Sequence, residues 1–126
     1  MKGSPDFDVL GHLDILRRYG EARATRVTSN LYSLLDKVLQ WLIENKKALE
    51  FNSSGYRYGL ESPHPELWVF ERYFALGGRL VTFGSDAHRP EDVGHRHRES
   101  LENLRRIGFS QICAYSHRQP VFWNIP

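Results

Sequence analysis

The sequence predicts an α/β fold in which mainly parallel strands are joined by crossover helices. Short apolar runs of strand length alternate with segments whose apolar residues recur every three or four positions, as helices require. Parallel neighbours need such crossovers, because a tight turn cannot join them. Three of the apolar runs also end in polar loops, which is typical of the edge of a parallel sheet that carries a functional site.

The first predicted strand is Phe7 to Leu10, and Gly11 closes it. Its end delivers His12 and Asp14 at alternate positions, which share one side of an extended chain. A polar stretch rich in arginine follows and ends at residues 28–30, Thr-Ser-Asn. Hydroxyl and amide side chains of this kind suit the cap of the next helix.

The first helix is predicted to run from this cap to about Lys46. Its apolar residues recur at spacings of three and four, which places them on one stripe that faces the core. The stripe consists of Leu31, Leu34, Leu35, Val38, Leu39, Leu42 and Ile43.

A second strand, Ala48 to Phe51, leads into a long polar loop at residues 52–65. Glycines and prolines in this loop argue against regular structure there. A loop of this length in a small domain usually serves a function.

Glu66 to Leu76 is predicted as the second helix, with Gly77 and Gly78 as its stop. The central strand, Leu80 to Phe83, follows and ends at Gly84. Its uninterrupted apolar character predicts a buried position in the sheet.

The last third of the chain repeats the alternation. Residues 89–93 are predicted as a short turn, and His97 to Ile107 as a charged helix that Gly108 stops. Gln111 to Tyr115 is the last predicted strand. Residues 116–126 are expected to form a C-terminal tail packed against the body through Val121, Phe122 and Trp123.

Length and composition predict one soluble domain that covers residues 1–126. The chain has 40% hydrophobic and 25% charged residues, and its formal net charge of +2 gives little support to nucleic-acid binding. No apolar run approaches a membrane span, and residues 1–15 lack the apolar core of a signal peptide. The single cysteine, Cys113, lies in an apolar run, which favours a buried reduced thiol and a cytoplasmic protein.

Asp86 and His88 form the most informative pair in the sequence. If the strand before them continues in extended form, the two side chains point the same way and Ala87 points the other. A carboxylate and an imidazole that converge suit a divalent metal such as zinc, manganese or iron. An ordinary polar turn after a strand is the alternative that this spacing leaves open.

Four motifs in order resemble the C-terminal half of histidinol-phosphatases of the polymerase and histidinol phosphatase (PHP) superfamily. They are DVLGHLD at 8–14, LEFNSSGYR at 49–57, SPHP at 62–65 and VTFGSDAHRPEDVG at 81–94. The resemblance implies about half of a distorted β/α barrel with metal ions at the C-terminal ends of its strands. It also implies hydrolysis of L-histidinol phosphate, a small phosphate monoester, to L-histidinol in histidine biosynthesis.

By this resemblance, His12, Asp86 and His88 are the expected metal ligands, for zinc, manganese or iron. Arg18 and Arg57 are the expected catalytic residues that hold the substrate phosphate, since guanidinium groups bind phosphate in a bidentate manner. Two further residues carry weaker expectations. Ser54 is expected to assist in substrate binding, and the alternative is that it belongs to an ordinary polar loop. Asp14 is expected to hold His12 in orientation without binding the metal itself, and the alternative is a carboxylate near a helix start.

The sequence also departs from the family pattern. A complete family domain begins with a His-x-His strand and further ligands, none of which precedes Phe7. The pair His95 and His97 enters a helix, where residues two apart diverge, and is interpreted as a solvated helix start. We therefore expect an incomplete metal site that acts slowly alone, and self-association or docking on a complementary half-domain. A catalytically inactive remnant is the alternative.

Overall fold

The computed structural model of the chain describes residues 6–15 and 29–126. Its centre is a parallel three-stranded sheet of β1 (Val9–Leu10), β2 (Ala48–Asn52) and β3 (Val81–Gly84), in that order. In the register of the sheet, Leu10 lies beside Leu49 and Asn52 lies beside Gly84. The predicted α/β class and the three parallel strands are confirmed.

Helices supply the connections that a parallel sheet requires. Helix α1 spans Ser29–Glu44, α3 spans Leu67–Ala75 and α4 spans His97–Ile107. The predicted ends of α4 are confirmed, and Gly108 follows it with a φ of 128° that suits glycine. Thr28, the start of the predicted cap of α1, lies outside the described residues.

The two faces of the sheet differ. Leu49, Phe51 and Val81 lie on the face that the helices cover, where one apolar cluster holds the sheet and the helices together. The other buried members of this cluster are Leu39, Leu42, Val69, Phe70, Tyr73, Leu104 and Phe109. Side chains alternate along a strand, so Glu50 and Asn52 lie on the opposite face. Polar side chains at the end of β2 therefore face away from the helix layer.

The apolar stripe of α1 is buried only in part. Leu39 and Leu42 are buried, whereas Leu31 is 44% exposed and Leu34 is 58% exposed. The prediction that all seven residues of the stripe lie in the core is wrong for these two, since the cluster reaches α1 only from Leu35 onward. The first turns of α1 thus present an apolar surface.

The loop after β2 contains a short helix, α2 (Ser54–Arg57), where the sequence predicted no regular structure. Two contacts explain the difference. The Ser54 N–H donates to the Asn52 side-chain oxygen at 2.9 Å, which starts the turn. A Cβ on Gly55 would lie 2.3 Å from the Ser62 carbonyl oxygen, so glycine allows this turn to pack against the loop.

The C-terminal segment forms a hairpin rather than a simple tail. The prediction that Val121, Phe122 and Trp123 pack against the body is wrong, because these side chains are exposed. Strand β4 (Gln111–Ser116) pairs antiparallel with β5 (Gln119–Asn124) in a separate two-stranded sheet. His117 and Arg118 both have positive φ values, 49° and 64°, as in a two-residue type I′ turn. The sequence offers no Asn-Gly or Asp-Gly signal there, and this explains why the hairpin was not predicted.

The hairpin is tied to the first strand by its turn. Arg118 donates to the Asp8 carboxylate at 3.1 Å and also pairs with Asp6. These contacts lower the pKa of the exposed Asp6 carboxyl, chiefly through its hydrogen bond with Arg118.

In the described part of the chain, no helix combines the length and the apolar character that crossing a bilayer requires.

Candidate functional site at the carboxyl ends of the parallel strands

The carboxyl ends of β2 and β3 meet directly. Asn52 and Gly84 are register partners, and the Ser53 N–H donates to the Gly84 carbonyl oxygen at 2.8 Å. The parallel direction of β1 brings Gly11 and His12 to the same edge of the sheet. The predicted gathering of polar strand ends at one edge therefore follows from the observed topology.

The turn after β3, residues 85–88, is not an extension of the strand. The strand ends at Gly84, and Asp86 has a φ of 50°, in the left-handed region. The expectation that an extended chain aligns Asp86 with His88 is therefore wrong. Instead, His88 turns back, and its ring Nδ1 lies 2.8 Å from the Asp86 carbonyl oxygen.

Arg57 reaches this turn from α2. Its two terminal nitrogens donate to the carbonyl oxygens of Ser85, at 2.7 Å, and Asp86, at 2.8 Å. Its Nε lies 3.8 Å from the Asp92 carboxylate, and its side chain is only 17% exposed. Arg57 is thus at the predicted site, and in this structure its forked guanidinium holds main-chain oxygens there.

Asp14 and His64 form a second link between strand ends. The His64 ring is 0% exposed, and its Nδ1 lies 2.7 Å from Asp14 Oδ1. Asp14 also accepts from the Glu66 N–H at 3.1 Å, and the main chain of His64 exchanges hydrogen bonds with Asn52 at 2.8 and 2.9 Å. His64 therefore joins the end of β1 to the end of β2. His12 has a φ of 54°, so the expectation that His12 and Asp14 share one side of an extended chain is wrong. The orientation of His12 by Asp14 stays a prediction.

The polar side chains that follow β2 are buried. Ser53, Ser54 and Asn52 are at most 1% exposed, so the predicted substrate contact of Ser54 starts from a buried hydroxyl. Within residues 6–15 and 29–126, Ser53 Oγ and His64 Nε2 are buried atoms that find no hydrogen-bond partner. Buried polar atoms are rarely left in this state, and in native proteins they mark sites of water, ions or function.

Glu50 is a site residue that the sequence reasoning missed. Its carboxylate accepts from the Asn52 side-chain amide at 3.1 Å. A Cβ on Gly11 would lie 2.9 Å from Glu50 Oε2, and a Cβ on Gly84 would lie 2.4 Å from Oε1. The two glycines on the neighbouring strands therefore leave room for this carboxylate. The signal was a charged residue that alternates with Leu49 and Phe51, in a strand flanked by two glycine-ended strands.

Tyr56 connects α2 to the start of α4. The Arg96 guanidinium carbon lies 4.4 Å from the centre of the Tyr56 ring, a cation–π distance. Burial is the largest of the causes that raise the pKa of the Tyr56 hydroxyl, followed by the charge of Glu99. Tyr58, by contrast, is exposed.

The side chains at these strand ends are of the types that bind divalent cations. In this structure they do not assemble into a complete set of ligands. Carboxylates and imidazoles are ligands of zinc, manganese and iron. The Glu50 carboxylate, which lies beside Gly11 and Gly84, places a further carboxylate between the ends of β1 and β3. Among the residues that the structure describes, no group of three His, Cys, Asp or Glu side chains is arranged to hold a metal ion. His12, Asp86 and His88 thus stay predicted ligands. Arg18 lies outside the described residues.

These features define an α/β protein that carries histidine and carboxylate side chains at the carboxyl edge of a parallel sheet. This edge is where α/β enzymes generally place their sites. The class alone does not identify a reaction, because one fold serves many chemistries.

Sequence comparison identifies the family. No family model matches the chain. It is 38% identical to the probable histidinol-phosphatase of Thermotoga maritima over 110 residues, which cover 85% of this chain and 44% of that protein. The probable histidinol-phosphatase of Deinococcus radiodurans is 31% identical, with 90% of this chain and 40% of the relative covered. That of Clostridium acetobutylicum is 30% identical, with 82% and 43% covered.

The chain belongs to the histidinol-phosphatase family. It spans less than half the length of the curated relatives that it matches, between 40% and 44% for these three.

Proposed function

We propose that the chain takes part in histidinol-phosphatase chemistry, the hydrolysis of L-histidinol phosphate to L-histidinol and phosphate. The observation that carries this proposal is the 38% identity over 110 residues to a probable histidinol-phosphatase. The proposed fold is part of a distorted β/α barrel of PHP type, and the parallel three-stranded sheet is compatible with it. A buried, unpaired thiol at Cys113 supports a cytoplasmic place for this reaction in histidine biosynthesis.

The proposed site uses His12, Asp86 and His88 as ligands of a divalent metal. Such an ion would supply Lewis-acid activation of water and of the phosphoryl group. Arg18 and Arg57 are proposed to neutralise the phosphate oxygens. The position of Arg57 beside the Asp86 carbonyl supports this role, because it brings a guanidinium to the turn that carries two of the proposed ligands.

The proposal is tested by phosphate release from L-histidinol phosphate in the presence of manganese or zinc. We expect slow release by the chain alone and faster release when a separately expressed N-terminal half of a full-length relative is added. Asp86→Asn should abolish the faster release, while Glu61→Gln, an exposed change outside the site, should retain it. Absence of release in a mixture shown to associate would contradict the proposal.

A second candidate function is a non-catalytic half-domain that acts only by association with itself or with another chain. The exposed side chains of β5 favour it: Val121 is 43%, Phe122 46% and Trp123 52% exposed. Side chains alternate along a strand, so Val121 and Trp123 share one face of β5 and Phe122 lies on the other. Exposed apolar side chains on such a strand are typical of an association surface. Light scattering tests this candidate. A monomeric mass at all concentrations, together with no binding to an added N-terminal half, would exclude it.

A further inference from the structure

Two donors meet at one main-chain oxygen in the turn after β3. The Asp86 carbonyl oxygen lies 2.8 Å from an Arg57 terminal nitrogen and 2.8 Å from His88 Nδ1. Arg57 also donates to the preceding carbonyl, that of Ser85, at 2.7 Å. The guanidinium thus fixes two consecutive peptide groups from a helix that lies 28 residues earlier in the chain.

This geometry determines which ring nitrogen of His88 carries hydrogen. A carbonyl oxygen only accepts hydrogen bonds, so Nδ1 must be the donor. In the neutral imidazole, the lone pair then lies on Nε2. A hydrogen bond of this type, from one ring nitrogen to a main-chain carbonyl, is the usual way in which proteins orient a histidine ligand.

The carbonyl needs support to stay in this position. Asp86 has a φ of 50°, which is uncommon for a residue other than glycine and persists only where the surroundings hold it. Arg57 contributes this support, because its rigid fork matches two adjacent oxygens. Its low exposure, 17%, strengthens these charge-assisted bonds.

We propose that Arg57 is a positioning residue for His88: it holds the Asp86 carbonyl so that His88 carries hydrogen on Nδ1 and presents Nε2 as its acceptor or ligand atom. This role is separate from the proposed contact of Arg57 with substrate phosphate. Its consequence for metal affinity rests on the proposed function, whereas its consequence for the hydrogen position does not.

The direction in which metal affinity changes when Arg57 is replaced distinguishes this proposal from a simple effect of charge. Removing a nearby positive charge should by itself strengthen the binding of a cation. A lost positioning contact should weaken it, since changes in the residues that orient metal ligands typically lower affinity about 10-fold to 100-fold. Measurement without phosphate or substrate also excludes any contribution from phosphate binding.

The experiment uses the whole chain with nitrogen-15 histidine at about pH 8, where free histidine is neutral. NMR spectra of the parent, with His88 assigned by comparison with His88→Ala, should show Nδ1 protonated and Nε2 bare. Arg57→Gln should shift His88 toward a mixture of both forms and weaken manganese or zinc binding about tenfold. Arg57→Lys keeps the positive charge and serves as the less disruptive variant in case Arg57→Gln does not fold. It should give a smaller change in the same direction.

Arg89→Gln is the matched control, since Arg89 is an exposed arginine next to His88. It should leave the His88 spectrum unchanged. The proposal is overturned if both Arg57 variants keep Nδ1 protonated and bind metal as well as or better than the parent. If the parent chain binds no metal, the proposed cation site fails, and the NMR comparison still decides the role of Arg57.

Discussion

A fully buried histidine joins two strand ends in this protein, and this explains why a polar ring is retained there. His64 contacts Asp14 through Nδ1 and Asn52 through its main chain. A buried ring without such partners would cost free energy, because burial removes its hydrogen bonds with water. The contacts of His64 therefore stabilise the edge of the sheet that carries the proposed site.

His64→Ala should destabilise the chain by about 2–4 kcal/mol, because it leaves a cavity and removes the contact of the ring with Asp14 Oδ1. Urea unfolding at neutral pH measures the change. His117→Ala, at an exposed position of the hairpin turn, is the control and should stay within about 0.5 kcal/mol of the parent. Equal effects of the two substitutions would show that the contact with Asp14 is not stabilising.

At the scale of the elements, α1 and α3 are joined by an exposed ion pair. The Arg72 guanidinium donates to both carboxylate oxygens of Asp36, at 2.7 and 2.6 Å. The hydrogen bond from Arg72 is the largest of the causes that lower the pKa of the Asp36 carboxyl. Because the folded pKa is the lower one, the pair stabilises the fold above the unfolded pKa, and this contribution disappears as the pH falls through the folded pKa.

Asp36→Asn should therefore lower the urea midpoint slightly at pH 7, and this deficit should shrink as the pH falls below the unfolded pKa of 3.8. The effect should be small and should shrink in high salt, since both partners are exposed. Glu61→Gln, an exposed carboxylate in a loop, is the control for the loss of one charge. A deficit of Asp36→Asn that persists unchanged at pH 2 would contradict an electrostatic origin.

The short helix α2 depends on close packing at a glycine. A Cβ on Gly55 would lie 2.3 Å from the Ser62 carbonyl oxygen, which belongs to the main chain and cannot rotate away. Gly55→Ala should cost about 1–3 kcal/mol from overpacking, although alanine favours helices. Gly84→Ala meets the flexible end of Glu50 instead and should cost less. Thermal unfolding compares them, and the reverse order would refute this account.

Elements set by local periodicity were predictable, and those set by contacts distant in sequence were not. The predicted helix His97 to Ile107 agrees with α4 to the residue, because its stop at Gly108 and its helical spacing are local signals. The hairpin and α2 depend on positive φ values and on a close glycine contact, which single residues signal weakly.

The same distinction holds for the site. Polar strand ends and a parallel sheet predicted that Asp86 and Arg57 lie at one edge. The bond of Arg57 to the Asp86 carbonyl joins residues 29 apart, and that of His64 to Asp14 joins residues 50 apart. No local sequence pattern indicates contacts between residues so far apart. The hydrogen bonds from Arg57 to the turn after β3 are therefore seen only in the structure.

At the scale of the whole molecule, the helices among residues 29–126 cover one face of the sheet, and the hairpin adds exposed aromatic side chains. Phe122→Ser and Trp123→Ser should therefore reduce any self-association or binding of an N-terminal half, because they remove apolar area from the proposed surface. Val93→Ser is the control, at a 73% exposed valine outside the hairpin. Sedimentation velocity measures the effect, and equal assembly of all three variants would place the surface elsewhere.

The ends of β1 and β3 are proposed to form one cation site, and isothermal calorimetry with manganese or zinc tests this claim most directly. The parent should bind a divalent ion, and His12→Ala and His88→Ala should each weaken binding at least about tenfold, because each removes a ligand. His117→Ala, at an exposed histidine of the hairpin turn, should bind as the parent does. Binding by His88→Ala and His12→Ala that equals binding by the parent would contradict the proposed site.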